Sequence, residues 1–221
     1  MGDELRLRLE GLSDDEFERL FGAFRPMAPA EVAGLLDGLG APWWVAGGWA
    51  IEAFTGVHRH HADLDVSILA RDIPVLVEHF LGSHHVWAAG SGLLQPLLHP
   101  AQRFPEWAGQ IWVRREATSP WLLDVLITPD RDGRWVFRRD PDVVEALERV
   151  TWVAADGVTY LRPEVCLAYK ASLDRPKDTA DLEATLPRLG AGARRWLRDT
   201  VARLHPDHRW LDRLGAGPDE A

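Results

Sequence analysis

The sequence has little cysteine, little lysine and no long apolar run. Its single cysteine, Cys166 in the apolar context EVCLAYK, can form neither an internal disulfide nor a thiolate metal site, and we expect it to fill the core. No stretch reaches the roughly eighteen apolar residues that span a membrane. The N-terminal sequence MGDELRLRLEGLSDDEFERL is too charged for a signal peptide. We therefore expect a cytoplasmic protein without membrane partners.

Positive charge is also scarce, since the formal net charge is −9 at pH 7. A large non-specific nucleic-acid surface needs a basic field, so a small polycationic partner suits the chain better than nucleic acid. Lys170 and Lys177 are the only lysines among 25 basic residues. They are either ordinary surface residues of an arginine-rich chain or residues with a specific role. The 221 residues, 46% of them hydrophobic, suffice for one core and a small appended domain.

The stretch WWVAGGWAIEAFTGVHRHHADLDVSIL, residues 43–69, carries the clearest chemistry. It predicts a strand, a double glycine, a helix, a basic turn and a second strand. Gly47 and Gly48, at the start of the helix, would let a phosphate approach the backbone N–H groups. Asp63 and Asp65, two apart on a strand, would project from one face and share hard cations. Alone, a glycine pair is most often a turn and Asp-x-Asp a solvated strand end; together, across one helix, they favour a phosphate and metal site.

This arrangement resembles the polymerase-β-type nucleotidyltransferases, which have a strand, Gly-Gly or Gly-Ser, a helix and an acidic-x-acidic strand. More narrowly, GGWAIEAFTG followed by Arg59, His61, Asp63, Leu64 and Asp65 is similar to the aminoglycoside and lincosamide nucleotidyltransferases, which carry Arg-x-His-x-Asp-aliphatic-Asp. The segments LRPEVCLAYKAS and RPKDTADLEATLP are similar to the helical C-terminal part of that group. The resemblance covers most of the chain from residue 40 to residue 210.

Periodicity and resemblance together predict an α+β (mixed α/β) fold. A small mixed β-sheet nucleotidyltransferase core packed by helices should span residues 1–160, and a C-terminal helical domain residues 161–221. Expected helices cover residues 13–24, 30–37, 71–81, 163–172, 178–186, 191–204 and 207–214. Further strands are expected at residues 86–88, 110–116, 121–128 and 134–138, the last two joined by the turn PDRDG, with a hairpin around residues 155–157. The terminal GAGPDEA should be disordered.

Asp124 is a carboxylate within the otherwise apolar strand WLLDVLIT. Burying it unpaired would cost several kcal/mol, so something should compensate it. For the strand alone, a salt bridge or a hydrogen-bonded core aspartate is the simpler interpretation. The resemblance implies a third carboxylate on a following strand, and Asp124 is the residue that fits.

The resemblance implies a metal-dependent transfer of a nucleoside monophosphate from a nucleoside triphosphate, with pyrophosphate as leaving group. Because three aspartates would repel a triphosphate, we expect two Mg²⁺ ions. The implied metal ligands are Asp63, Asp65 and Asp124, of which Asp124 is also the candidate base. The implied nucleotide-binding residues are Gly47, Gly48, Arg59, His61 and Lys170. We expect Glu52 to orient Arg59 or His61, and His60 to lie at the surface.

Two classes of function stay open. The first is an enzyme, with ATP favoured as donor, that modifies a hydroxyl of a small cationic acceptor such as an aminoglycoside and so confers antibiotic resistance. The second is a toxin- or antitoxin-type nucleotidyltransferase acting on a protein or tRNA, or a catalytically silent interaction module of the same fold. The three aspartates argue against a silent module, and the lack of a basic stripe argues against tRNA.

Overall fold

An eight-stranded mixed sheet forms the centre of the protein, as seen in a computed structural model that describes residues 13–61 and 63–215. Its strands are β1 (Trp43–Val45), β2 (Asp65–Leu69), β3 (His85–Gly90), β4 (Leu93–Pro96), β5 (Gln110–Arg114), β6 (Trp121–Thr128), β10 (Thr151–Val153) and β11 (Thr159–Leu161). They run in the order β10-β11-β1-β2-β6-β5-β3-β4. Strands β7 (Asp130–Arg131), β8 (Arg134–Val136) and β9 (Val144–Glu145) form a separate small sheet.

Helices pack around this sheet, and the fold class predicted from the sequence is confirmed. They are α1 (Asp14–Phe21), α2 (Pro29–Leu35), α3 (Gly47–Thr55), α4 (Ile73–Phe80), α5 (Leu147–Val150), α6 (Pro163–Ala171), α7 (Pro176–Thr185), α8 (Ala191–Leu204) and α9 (Trp210–Leu214). The first helix ends earlier than predicted because Gly22, at φ +91°, leaves the helical conformation. None of the described helices is both long and apolar enough to cross a membrane.

Successive side chains of strand β6 point to opposite faces of the sheet. Its side chains alternate between fully and partly buried positions, so Leu123 and Val125 enter the core while Asp124 and Leu126 face the other side. The neighbouring strand β2 runs parallel to β6, and its Asp65 is the register partner of Asp124. This pairing places both carboxylates on one face of the sheet.

Three sequence-based expectations about the strands were wrong. PDRDG contains the predicted tight turn, at Asp132 and Gly133, but this turn joins β7 to β8, and β8 pairs with β7 and β9 instead of β6. A second strand, β4, lies in the segment 82–105, where we expected only one. Asp63 is not on a strand, since β2 begins at Asp65. The other predicted strands are present, and β6 has its predicted bounds.

The C-terminal helices α6 and α7 both pack against α3, the helix that follows the double glycine. Buried side chains of α6, among them Val165, Leu167 and Ala168, continue the same core as the sheet. The division of the chain near residue 160 therefore stays a prediction. Most of GAGPDEA and the N-terminal residues 1–12 lie outside the described residues.

Candidate active site

Helix α3 begins at the double glycine without a side-chain cap. The residue before it, Ala46, has no side chain that could accept hydrogen bonds from the first N–H groups of the helix. Gly47 has φ +63°, and a Cβ atom at this position would collide with the carboxylate of Asp65. Glycine is therefore required for Asp65 to approach the turn.

Asp65 and Asp124 are held beside each other by the pairing of β2 and β6. Burial and the charge of Asp63 raise the pKa of Asp65 to about 6. Burial and the charges of Asp65 and Asp63 raise the pKa of Asp124 well above its ordinary value. The Nε2 atom of Gln110 donates a hydrogen bond of 2.8 Å to Oδ2 of Asp124. Its Oδ1 is buried and has no hydrogen-bond partner among the described residues.

Asp63 stands apart from this pair. It is exposed and lies two residues before Asp65, ahead of the strand. The negative charge of Asp63 still raises the pKa values of both Asp65 and Asp124. In residues 13–61 and 63–215, no three His, Cys, Asp or Glu side chains form a group that could by itself hold a metal ion. The structure thus brings together two of the three predicted carboxylates.

Asp65 and Asp124 alone nevertheless suit a divalent cation. Burial and neighbouring negative charge raise the pKa values of both carboxyls, so a bound cation would favour their ionised forms, and Oδ1 of Asp124 has no hydrogen-bond partner among the described residues. Carboxylate oxygens are the ligands that Mg²⁺ prefers. The fit rests on Asp65 and Asp124.

Arg59 and His61 lie over the second glycine. A Cβ atom at Gly48 would collide with the guanidinium of Arg59 and crowd the ring of His61. The His61 ring stacks on Trp49 with a centroid distance of 4.4 Å, and its Nε2 lies 2.7 Å from Oε2 of Glu52. Burial lowers the pKa of His61 more than its contact with Glu52 raises it.

Glu52 contacts both residues that we expected it to orient. Besides His61, it accepts a 3.2 Å hydrogen bond from the backbone N–H of Arg59 and contacts His58 at 2.9 Å. Burial would raise its pKa, but the hydrogen bonds to the two histidines lower it overall. His60 is exposed, as expected.

Lys170, near the end of α6, is buried and paired with two aspartates of α7. Its Nζ lies 3.2 Å from Oδ1 of Asp178 and 2.9 Å from Oδ2 of Asp181. Asp181 also binds Arg59, and Asp178 also binds Arg175. Burial would raise the pKa of Asp178, but Arg175 and Lys170 lower it overall.

A cleft of about 480 Å³ lies between the sheet and the C-terminal helices. This volume is in the range of pockets that bind small molecules and cofactors. Gly47, Asp65 and Gln110 line one part of it. Its other walls carry the cations Arg138, Arg139, Lys170 and Arg175. The cleft thus combines the Asp65 carboxylate with several positive side chains, which suits a polyanion that carries a cation.

Cys166 also borders the cleft but is inert. The residue is 2% exposed, and its Sγ lies 3.7 Å from the carbonyl oxygen of Leu161. Burial raises its thiol pKa to about 12. The expectation that it fills the core is confirmed.

Sequence reasoning missed Gln110, Asp178 and Asp181. Gln110 was visible only as a polar residue opening a predicted strand. The two aspartates, three apart in RPKDTADL, share one face of a helix, but nothing in that segment indicates partners as distant as Arg59.

Comparison with known proteins identifies the central stretch. Residues 30–87 match a family model described as aminoglycoside-2''-adenylyltransferase. Over these residues the chain is similar to the aminoglycoside nucleotidyltransferases. The match includes β1, the double glycine, α3 and β2, and ends before Asp124. The resemblance predicted from the sequence is thereby confirmed, whereas the role of each site residue stays a prediction.

Solved structures and curated proteins add less. The solution structure of the antibiotic-resistance factor ANT(2'')-Ia is 17% identical, covers 83% of this chain and 92% of its own, and has a TM-score of 0.48. The crystal structure of ANT(2'')-Ia with adenylyl-2''-tobramycin is 18% identical, covers 79% and 95%, and has the same TM-score. No curated protein shows a significant match.

Proposed function

We propose that this protein is a nucleotidyltransferase that moves a nucleoside monophosphate, from ATP in the first place, to a hydroxyl of an aminoglycoside and releases pyrophosphate. The observation that carries the proposal is the Asp65–Asp124 pair beside the glycine turn at the N-terminus of α3. The family match over residues 30–87 supports the adenylyl group and the acceptor class. The cytoplasm, where ATP and Mg²⁺ are available, is the proposed location.

Each residue has a role in this proposal. Two Mg²⁺ ions held by Asp65, Asp124 and Asp63 would neutralise phosphate charge and polarise the reacting phosphoryl group. The backbone N–H groups at Gly47 and Gly48, at the uncapped start of α3, bind phosphate oxygens. Asp124, oriented by Gln110, accepts the proton of the acceptor hydroxyl.

Positive side chains stabilise the departing pyrophosphate. Lys170 and Arg175 line the cleft on the side of the helices, and Arg59 with His61 covers the glycine turn. The charges of Lys170, Arg175 and Arg59 oppose the negative charge that develops on the leaving group. Arg138 and Arg139 extend the positive wall of the cleft.

The acceptor class follows from charge as well. The net charge of −9 favours the approach of a polycation, and long-range attraction raises its encounter rate. An aminoglycoside combines that positive charge with several hydroxyl groups.

The test is transfer itself. The purified protein is incubated with Mg²⁺, each of the four nucleoside triphosphates and a panel of aminoglycosides, and pyrophosphate release and acceptor mass are measured. We expect one acceptor or more to gain a nucleoside monophosphate, and no product with chelator. Triphosphate binding without any modified small molecule would overturn the acceptor class, and label transferred from α-labelled ATP to protein or tRNA would favour the second class of function.

A further inference from the structure

One carboxylate of the helical region, Asp181, binds two cations that are assigned to the nucleotide site. Its side chain is 4% exposed. Its Oδ1 accepts a 3.0 Å hydrogen bond from Nε of Arg59, and its Oδ2 accepts one of 3.2 Å from a terminal nitrogen of the same guanidinium. Oδ2 also lies 2.9 Å from Nζ of Lys170. The geometry is the bidentate one that fixes a guanidinium in both position and plane.

The guanidinium that Asp181 holds lies directly on the glycine turn. A side chain at Gly48 would occupy the place that a terminal nitrogen of Arg59 takes. The third guanidinium nitrogen of Arg59 donates a 3.0 Å hydrogen bond to the carbonyl oxygen of His60. A guanidinium has five N–H groups, and contacts with the described residues use three of them. Arg59 thus keeps donors for a ligand although its plane is fixed.

We propose that Asp181 is the positioning residue of the phosphate site. It holds Arg59 against the glycine turn and Lys170 at the wall of the cleft, so that both cations are in place before the triphosphate arrives. This inference rests on the proposed function, because it needs a triphosphate at the turn. Its ligand is the β,γ-diphosphate part of that molecule, which becomes the leaving pyrophosphate.

Asp181 acts without touching the substrate, and this separates it from a purely structural ion pair. An unfixed Arg59 must lose side-chain freedom when the nucleotide binds, and that loss weakens binding. The effect should appear in the KM for ATP more than in kcat, because both cations remain in the protein. A structural defect would instead lower the folded fraction and leave the KM of the remaining enzyme unchanged.

The experiment is a double-mutant cycle between Asp181→Asn and Arg59→Ala. In the wild-type background we expect Asp181→Asn to raise the KM for ATP by about tenfold to a hundredfold, the worth of a hydrogen bond to a charged group. In the Arg59→Ala background the same change should raise the KM clearly less, because only the contact of Asp181 with Lys170 is then left to lose. Equal effects in both backgrounds, or no change of KM in the first, would overturn the proposal.

The matched control is Glu183→Gln on the same helix. Glu183 is exposed and pairs with Arg213 at the surface, so exchanging its carboxylate for an amide should change neither KM nor kcat. If Asp181→Asn does not fold, Arg59→Lys replaces it, because lysine keeps the charge and loses the bidentate pair. We then expect the same rise in KM, and an unchanged KM would overturn the proposal.

A readout without turnover separates this proposal from the proposed function. In NMR spectra, the Nε–H signal of Arg59 should be shifted and protected from exchange in the wild type, and should move to the position of a free arginine in Asp181→Asn. If the wild type binds no triphosphate in calorimetry, the proposed function fails, and the phosphate role of Asp181 fails with it even where the NMR result shows that it fixes Arg59. If the wild type binds ATP but the Nε–H signal is the same in both proteins, only the positioning role is refuted.

Discussion

Two pairs of aspartates lie in this protein in opposite electrostatic surroundings. Asp178 and Asp181, on α7, are buried and bound by the cations Lys170, Arg175 and Arg59. Asp65 and Asp124, on neighbouring strands, have raised pKa values and no ion pair of this kind within the described residues. A buried carboxylate is stable only when its charge is matched. The helix pair is matched by cations of the protein itself, whereas the sheet pair is the one that we propose to bind Mg²⁺.

The largest effect should come from the sheet pair. We expect Asp124→Asn to lower the transfer rate by at least about 10³-fold, roughly 4 kcal/mol in the barrier, because the negative charge and the proton acceptor are lost together. Nucleotide affinity and melting temperature should change little. The measurements are transfer rate, calorimetry and thermal unfolding on one variant.

The control for this variant is Asp130→Asn. Asp130 accepts hydrogen bonds from the backbone N–H groups of Arg71 and Gly133 in the small sheet, away from the pair. A large drop in melting temperature with near-normal activity of the folded Asp124→Asn protein would mark Asp124 as structural and remove the contrast between the two pairs.

The helix pair should respond in stability. Asp178→Asn leaves Arg175 without its carboxylate partner and weakens the buried pairing of Lys170, so we expect unfolding free energy to fall by roughly 3 kcal/mol. Urea denaturation measures it. Asp199→Asn, on an exposed pair with Arg198, is the comparison and should cost less than about 1 kcal/mol. Similar small losses for both would mean that the buried pairs contribute little.

Magnesium should distinguish the pairs directly. Adding Mg²⁺ to chelator-treated protein should raise the melting temperature by a few degrees, because a ligand of the native state stabilises it. The increase should persist in Glu183→Gln and vanish in Asp65→Asn. An increase of the same size in Asp65→Asn would place the ion elsewhere.

The smallest effect concerns pH. The folded pKa of Asp65, about 6, exceeds its unfolded value, so the folded state binds the extra proton and metal-free stability falls as pH rises from about 4 to about 6. Asn carries no such charge. In chelator, Asp65→Asn should therefore melt slightly higher than wild type at pH 8 and equally below pH 4. Thermal unfolding across this range tests it, and a lower melting temperature for Asp65→Asn at pH 8 would contradict it.

Local sequence patterns predicted most of the elements that position Asp65 and Asp124. The β-rich, largely apolar composition of WLLDVLIT placed β6, and the glycine pair before a helical pattern placed the start of α3. Strand β4 was missed because Leu93–Pro96 is short and has a proline, and its pairing with β3 depends on contacts outside that segment. Asp63 was placed on a strand because apolar periodicity does not define the first residue of β2.

The ion pairs of Asp178 and Asp181 could not be predicted from local sequence patterns. Asp181 and Arg59 are 122 positions apart, and their contact exists only after α7 packs against α3. In the sequence alone, RPKDTADL has the composition of a solvated helix start. Long-range charge matching depends on tertiary structure, so the residues that hold the site were less predictable than the residues of the site itself.

The single cysteine gives this architecture a natural reporter. Because Cys166 on α6 is buried beside the cleft, a thiol reagent reaches it only when the structure around it opens. Because the sequence has no second cysteine, the rate of thiol modification under native conditions measures how often these openings occur. A nucleotide bound in the cleft would slow the reaction, so one chemical label can follow how the structure around the cleft opens.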